Sequence, residues 1–220
     1  FINSAENRLN ELEGKPAVKF RKDDGIDLML DNGDDATAPF DFSTSGAALP
    51  KKNDPLGANK VTNLLKDLFK GVPIREGVGK VKGALGYFNR KIALIRVQAL
   101  TDIKTVSHEL GHMLQHILFP ETVSFDTTVT REGYSDFGKI FDGELMPLGK
   151  KTSGKDYSPE QIRNEGTAEF TRLWLSDKVK ARAWAPDFYA YLENTIPTKA
   201  PKTWEAMLTA QKQIHRYYEQ

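Results

Sequence analysis

Three of the four histidines in this chain, His108, His112 and His116, fall within a single short stretch. Its first five residues, His108-Glu109-Leu110-Gly111-His112, read H-E-x-x-H. Residues four apart share a helix face, so His108 and His112 can aim two imidazoles at one ion. Glu109 stands beside the same ion, where it can take a proton from metal-bound water. Those residue types at that spacing point to zinc-assisted hydrolysis, most often of peptide bonds.

A zinc site needs a third protein ligand. His116 lies eight residues beyond His108, roughly 12 Å along a helix axis, so a continuous helix cannot bring all three rings to one ion. It reads as a helix-side histidine with a hydrogen-bond partner, or one supporting the site from behind. The alternative spacing needs a Gly and a third His where Gln115 and Leu118 stand, which excludes that class.

A second segment supplies better candidates. In Asn164-Glu165-Gly166-Thr167-Ala168-Glu169-Phe170, the two glutamates lie one turn apart. One can bind metal while the other accepts the free N–H of a ligating imidazole. Arg172 falls on the same face and could pair with Glu169. Alone, these carboxylates would read as a solvated face. Phe170, Leu173, Trp174 and Leu175 instead predict a helix packed on most sides, where carboxylates are seldom idle. Gly111 and Gly166 each cost ~1 kcal/mol relative to Ala inside a helix. Both predict close approach of the two helices that would share the ion.

The elements that must position these groups follow from periodicity and punctuation. Residues 3–13 predict a helix, and 17–21 and 26–30 two short strands. Residues 31–55, rich in Asp, Gly, Ser, Ala and Pro, predict a loop or flexible linker. Leu56 to Lys70 predicts an amphipathic helix carrying Val61, Leu64, Leu65, Leu68 and Phe69. After a Gly-rich stretch, Gly83 to Phe88, the turn Asn89-Arg90 and Ile92 to Val97 predict a β-hairpin. Asp102 caps the motif helix, which runs to about Phe119 and packs Val106, Leu110, Met113 and Ile117 inward. Residues 120–157 predict irregular chain with one short helix near Asp136 to Phe141. Ser158-Pro159-Glu160-Gln161 opens the second strong helix with a capping box, running to about Ser176. Two more helices follow, near Pro186 to Asn194 and Lys202 to Tyr218. Early strands and late helices predict an α+β fold: a small antiparallel sheet beside a helical half that carries the metal site.

Composition sets outer bounds. The chain has 220 residues, 39% of them hydrophobic, enough for one substantial core. Residues 1–55 read as an N-terminal subregion with a linker, and 56–220 as the principal domain. Thirty-one basic residues against 30 acidic give no strong nucleic-acid signal; Lys150-Lys151 and Lys178 to Arg182 read as solvated faces. With no cysteine, any zinc site must use His and carboxylate. No apolar run reaches the ~20 residues of a membrane span. The start at Phe1 inside a helical pattern reads as a piece of a longer protein, tethered to other domains, or as a processed product.

The H-E-x-x-H motif followed by an Asn-Glu-x-x-x-acid helix resembles the gluzincin group of zinc metallopeptidases. The resemblance implies Glu165 as third ligand and Glu169 as the residue orienting a ligand histidine, although the group carries Asp at the second position. More narrowly, Ile92 to Val97, Asp102, His108 to His112, Glu165 to Phe170 and Ala185 to Phe188 resemble zincin-like domains in very large phage and prophage proteins. That resemblance implies a zincin-like domain over 56–220 and a rim to the cleft from 120–157. It also implies a strand along the cleft edge, pairing with a protein or peptide substrate; Ile92 to Val97 is that strand or an ordinary interior one. The compartment stays open between a virion-associated site and the cytoplasm of a bacterial host.

The expected chemistry is hydrolysis by Zn2+ on His108, His112 and Glu165, with Glu109 as general base. Tyr134, Tyr157 and Arg172 are candidates to stabilise the oxyanion; His215 reads as a surface residue. The competing expectation is a catalytically silent interaction module of the same fold.

Overall fold

Asp102 starts the helix that carries the motif. Its Oδ1 accepts from the Thr105 backbone N–H at 3.1 Å and its backbone carbonyl from Val106 at 3.0 Å, satisfying two donors that would otherwise be orphaned at a helix start. The computed structural model of the chain describes residues 49–50, 55–78, 85–89, 92–118, 132–153 and 157–220, with 132–140 by backbone only. The helix and strands expected before residue 49, and most of the expected linker, lie outside the described residues.

In chain order the elements are α1 (Ala58–Leu68), β1 (Ile74–Glu76), β2 (Gly86–Asn89), β3 (Leu94–Val97), α2 (Ile103–Leu118), α3 (Glu132–Gly149), α4 (Pro159–Ser176), α5 (Lys178–Trp184), α6 (Pro186–Lys199) and α7 (Pro201–Tyr218). The fold is α+β, a small sheet beside a helical majority. The expected amphipathic helix is α1, with Val61, Leu64, Leu65, Leu68 and Phe69 all buried. Val106, Leu110 and Met113 of α2 are fully buried and Ile117 packs against the same core.

The sheet corrects one expectation. Its order is β1-β3-β2, with β2 antiparallel to β3 but β1 parallel to it. It is mixed, not antiparallel. The hairpin takes one side of β3, and the shorter β1 takes the other, Ile74 opposite Ile95. Only Ile74 of β1 is buried, so no apolar alternation announces this strand.

A second correction concerns 120–157. Instead of one short helix in irregular chain, an 18-residue helix spans Glu132–Gly149. Gly133, Gly143 and Pro147 depress its propensity, and tertiary packing overrides them. Gly149 lies so close to α4 that a Cβ there would overlap the Ile162 carbonyl oxygen. The Lys178 to Arg182 cluster is also helical, within α5.

Helix α4 is the hub. Ser158 accepts from the Gln161 backbone at 3.2 Å and the Gln161 side chain accepts from the Ser158 backbone at 2.8 Å, the predicted capping box. Every residue from Arg163 to Leu175 is buried, against α2, α3, α5 and α7. A helix covered all round shows no single apolar stripe; its polar residues must find partners inside. Arg163 does so in a forked ion pair with Asp142 of α3. Among the described residues, no helix is long and apolar enough to cross a membrane.

Candidate metal centre

Two helices and one strand build the site. Gly111 brings the helices together: a Cβ there would lie 2.7 Å from both the Cα and the carbonyl oxygen of Ala168. One side of this contact carries His108 and His112, the other Glu165. A hydrogen bond from Gln115 Nε2 to Asn164 Oδ1, 2.8 Å and buried, fixes their relative height.

The expectation for Gly166 is corrected. It faces α3, where a Cβ would overlap the Leu145 carbonyl oxygen, not the other ligand helix. Residues 166 and 168 lie about 200° apart around a helix, so α2 and α3 grip α4 from opposite sides. The segment expected to rim the cleft thus includes a helix supporting the Glu165 helix from behind; 119–131 lie outside the described residues.

His108 Nε2 lies 3.2 Å from Glu165 Oε2, and His112 Nε2 lies 3.5 Å from Glu165 Oε1. The three donor groups lie within 4.8 Å of one another. With ligand bonds of about 2.0–2.1 Å, two ligands of a tetrahedral zinc stand roughly 3.3 Å apart. The two separations to Glu165, one to each carboxylate oxygen, lie near that spacing, and two imidazoles with one carboxylate form a donor set zinc accepts. The residues therefore fit the ion.

Around them, Glu169 Oε2 stands 3.6 Å from His108 Nδ1, the ring atom facing away from Glu165. Arg172 grips Glu169 with Nε on Oε2 at 2.7 Å and Nη2 on Oε1 at 2.6 Å. Two of the five Arg172 N–H donors are thus engaged with Glu169. The side chain of Tyr134 lies outside the described residues, and Tyr157 is half-buried beside the α4 cap.

The strand beside the site is β2. Of the two roles open to Ile92 to Val97, cleft edge or interior strand, the sheet order gives the second: β3 is the central strand, with a neighbour on each side. In the β2–β3 ladder the Gln98 N–H reaches the Leu85 carbonyl at 2.6 Å. The alternation of an antiparallel pair then turns the backbone groups of Tyr87 and Asn89 toward β3, and those of Gly86 and Phe88 outward. Glu109 meets that outer edge. A Cβ on Gly86 would lie 3.0 Å from the Glu109 carboxylate, and Glu109 holds a backbone hydrogen bond with Phe88. Sequence reasoning missed Gly86 and Phe88; a glycine opening a strand two residues ahead of an aromatic was the available signal.

Burial sets the electrostatics. His108 and Glu109 are each 6% exposed and Glu165 7%. Burial would lower the His108 pKa, but the hydrogen bond with Glu165, the close approach of Glu169 and the nearby carboxylate charges raise it from 6.5 to about 10. Burial pushes the Glu109 carboxyl from 4.5 up to about 8, with Glu165 adding to the rise; His108 and the Phe88 hydrogen bond oppose it. Glu165 is also buried, yet His112 and His108 hold its carboxyl well below the usual range. Glu169 goes down too: its burial is outweighed by Arg172 and, less, by His108. Strongly perturbed groups gathered in one place mark a functional-site candidate.

The remaining histidines lie outside the cluster. His116 packs near Phe88, ring centroids 6.0 Å apart, and His215 is exposed beside Glu219. No protein-family model matches this chain, and no curated protein or solved structure is significantly similar to it.

Proposed function

We propose that this chain is a zinc-dependent endopeptidase of gluzincin type, a zincin-like module of a larger phage or prophage protein. The observation that carries the reading is the convergence of His108, His112 and Glu165, from two helices, at the spacing of zinc ligands. Bound zinc supplies Lewis-acid activation of water and of a peptide carbonyl.

The chain's own residues supply the rest. Glu109 is the proton carrier, accepting at its carboxylate and returning the proton to the leaving amine. Its pKa of about 8 belongs to the ion-free site, and a neighbouring dication would draw it down toward the range where it can accept a proton. Phe88 anchors the carboxylate through the backbone bond, and Gly86 leaves it room. Glu169 receives the Nδ1 side of His108, which leaves Nε2 for the ion.

One observation favours the rival reading, a silent interaction module: His108, Glu109 and Glu165 are only 6–7% exposed, and His112 alone of the cluster reaches partial exposure. Metal content of purified protein, wild type beside Glu165→Ala and Glu169→Ala, decides the first step. About one zinc per chain, lost with Glu165→Ala and still taken up, more weakly, by Glu169→Ala, supports the site. A wild type that takes up no zinc on reconstitution removes the enzyme reading.

A further inference from the structure

We propose that Arg172 is a positioning residue for the metal site, acting through Glu169 to hold His108 in the orientation and tautomer that bind the ion. The inference rests on the zinc reading above and extends it one residue outward.

A glutamate carboxylate sits beyond three rotatable bonds, so burial alone does not fix its plane. Arg172 removes that freedom. Its guanidinium meets Glu169 in a planar fork, 2.7 and 2.6 Å, the geometry that specifies a carboxylate's orientation as well as its place. The two residues are three apart on one rigid, buried helix, so the pair moves as a unit. Glu169 Oε2 takes the Arg172 Nε and stands 3.6 Å from His108 Nδ1. The fork thus presents a fixed acceptor to the ring atom opposite the metal-facing Nε2. Lys151 also acts on Glu169, by charge alone, and makes no comparable fork. An ordinary buried ion pair would stabilise the fold without reference to His108, and this is the difference to be measured.

The test is zinc affinity by chelator competition for wild type, Arg172→Met, Glu169→Gln, the double variant and Lys151→Met, with 15N NMR of the His108 ring in each zinc-loaded protein. We expect Arg172→Met to weaken zinc about 10- to 100-fold, the usual effect of removing a partner behind a ligand. In the Glu169→Gln background the same change should add little, since its route is gone. Wild-type His108 should carry its proton on Nδ1, with that signal altered in Arg172→Met; Lys151→Met should match wild type. If Arg172→Met fails to fold, Arg172→Lys replaces it, keeping charge but losing the fork, with an intermediate loss expected. Wild-type affinity and ring signals in the Arg172 variants overturn the proposal, as does an equal further loss in the Glu169→Gln background. A wild type that binds no zinc overturns the metal reading and this proposal together, whereas unchanged binding in the variants overturns this proposal alone.

Discussion

Gly111 of α2 lies against the main chain of Ala168 on α4, nearer than any side chain at 111 would permit. The contact reverses the usual sign of a substitution. Ala normally favours a helix interior over Gly by about 1 kcal/mol. At 111 a methyl must push two backbones apart, and we expect Gly111→Ala to destabilise by about 1–3 kcal/mol, as overpacking does, and to weaken zinc uptake. Gly143 on α3 is the control: nothing lies within 4 Å of a Cβ there, so Gly143→Ala should stabilise by about 0.5–1 kcal/mol. Denaturant midpoints for both variants check the pair; a stabilised Gly111→Ala would refute the backbone contact.

Glu109→Gln separates binding from chemistry. The amide is nearly isosteric and can still accept from the Phe88 backbone, but it carries no proton away. Zinc stoichiometry should be unchanged, with peptide hydrolysis reduced about 10²- to 10⁴-fold. Undiminished turnover in this variant would remove Glu109 from the reaction.

Stability of the ion-free protein should fall as pH rises. The folded state raises His108 from 6.5 to about 10, a contribution complete below pH 6.5 and lost on the way to about 10. Glu109, raised from 4.5 to about 8, contributes in the same sense and loses its share between those values. Glu165 and Glu169 are depressed, and their contributions vanish as pH falls below the ordinary 4.5. The ion-free optimum therefore lies in mildly acidic solution. Zinc requires deprotonated ligands, so the stability gap between loaded and chelator-treated protein should widen from pH 6 to pH 9. Thermal unfolding with zinc and with chelator measures this, and a gap that narrows would contradict it.

Glu144 caps a helix that is not its own. Its carboxylate accepts from the Asp187 and Phe188 N–H groups at 3.0 and 2.9 Å, where Ala185 and Pro186 offer the start of α6 no side-chain acceptor. We expect Glu144→Ala to cost about 0.5–2 kcal/mol and to leave zinc affinity at the wild-type value. A loss of zinc affinity would mean that α6 helps hold the site.

The placement of the candidate ligands was legible because each sits in a strong helical signal. Asp102 and Ser158 mark the two starts, and both helices run close to their expected ends. What lies across from them was not legible. Nothing local shows that Gly166 meets Leu145 instead of α2, since the contact belongs to a helix whose own sequence speaks against it. The sheet was legible only in part. Ile92 to Val97 has the stronger strand pattern because β3 is central and buried, and no local pattern distinguishes that interior place from the cleft edge that the resemblance implied. Arg172 was legible as a partner of Glu169, but the two-point fork between them required coordinates.

The two glycine crossings on α4, at Ala168 against Gly111 and at Gly166 against Leu145, have a practical use. Main chain meets main chain on both sides, so the spacing between Glu165 and the histidines is gauged by peptide groups and not by the bulk of side chains. Substitutions elsewhere in the core can loosen the protein without detuning that spacing. Zinc retention across a panel of core variants would then serve as a binary gauge of whether this three-helix clamp is closed, independent of how much overall stability each variant has lost.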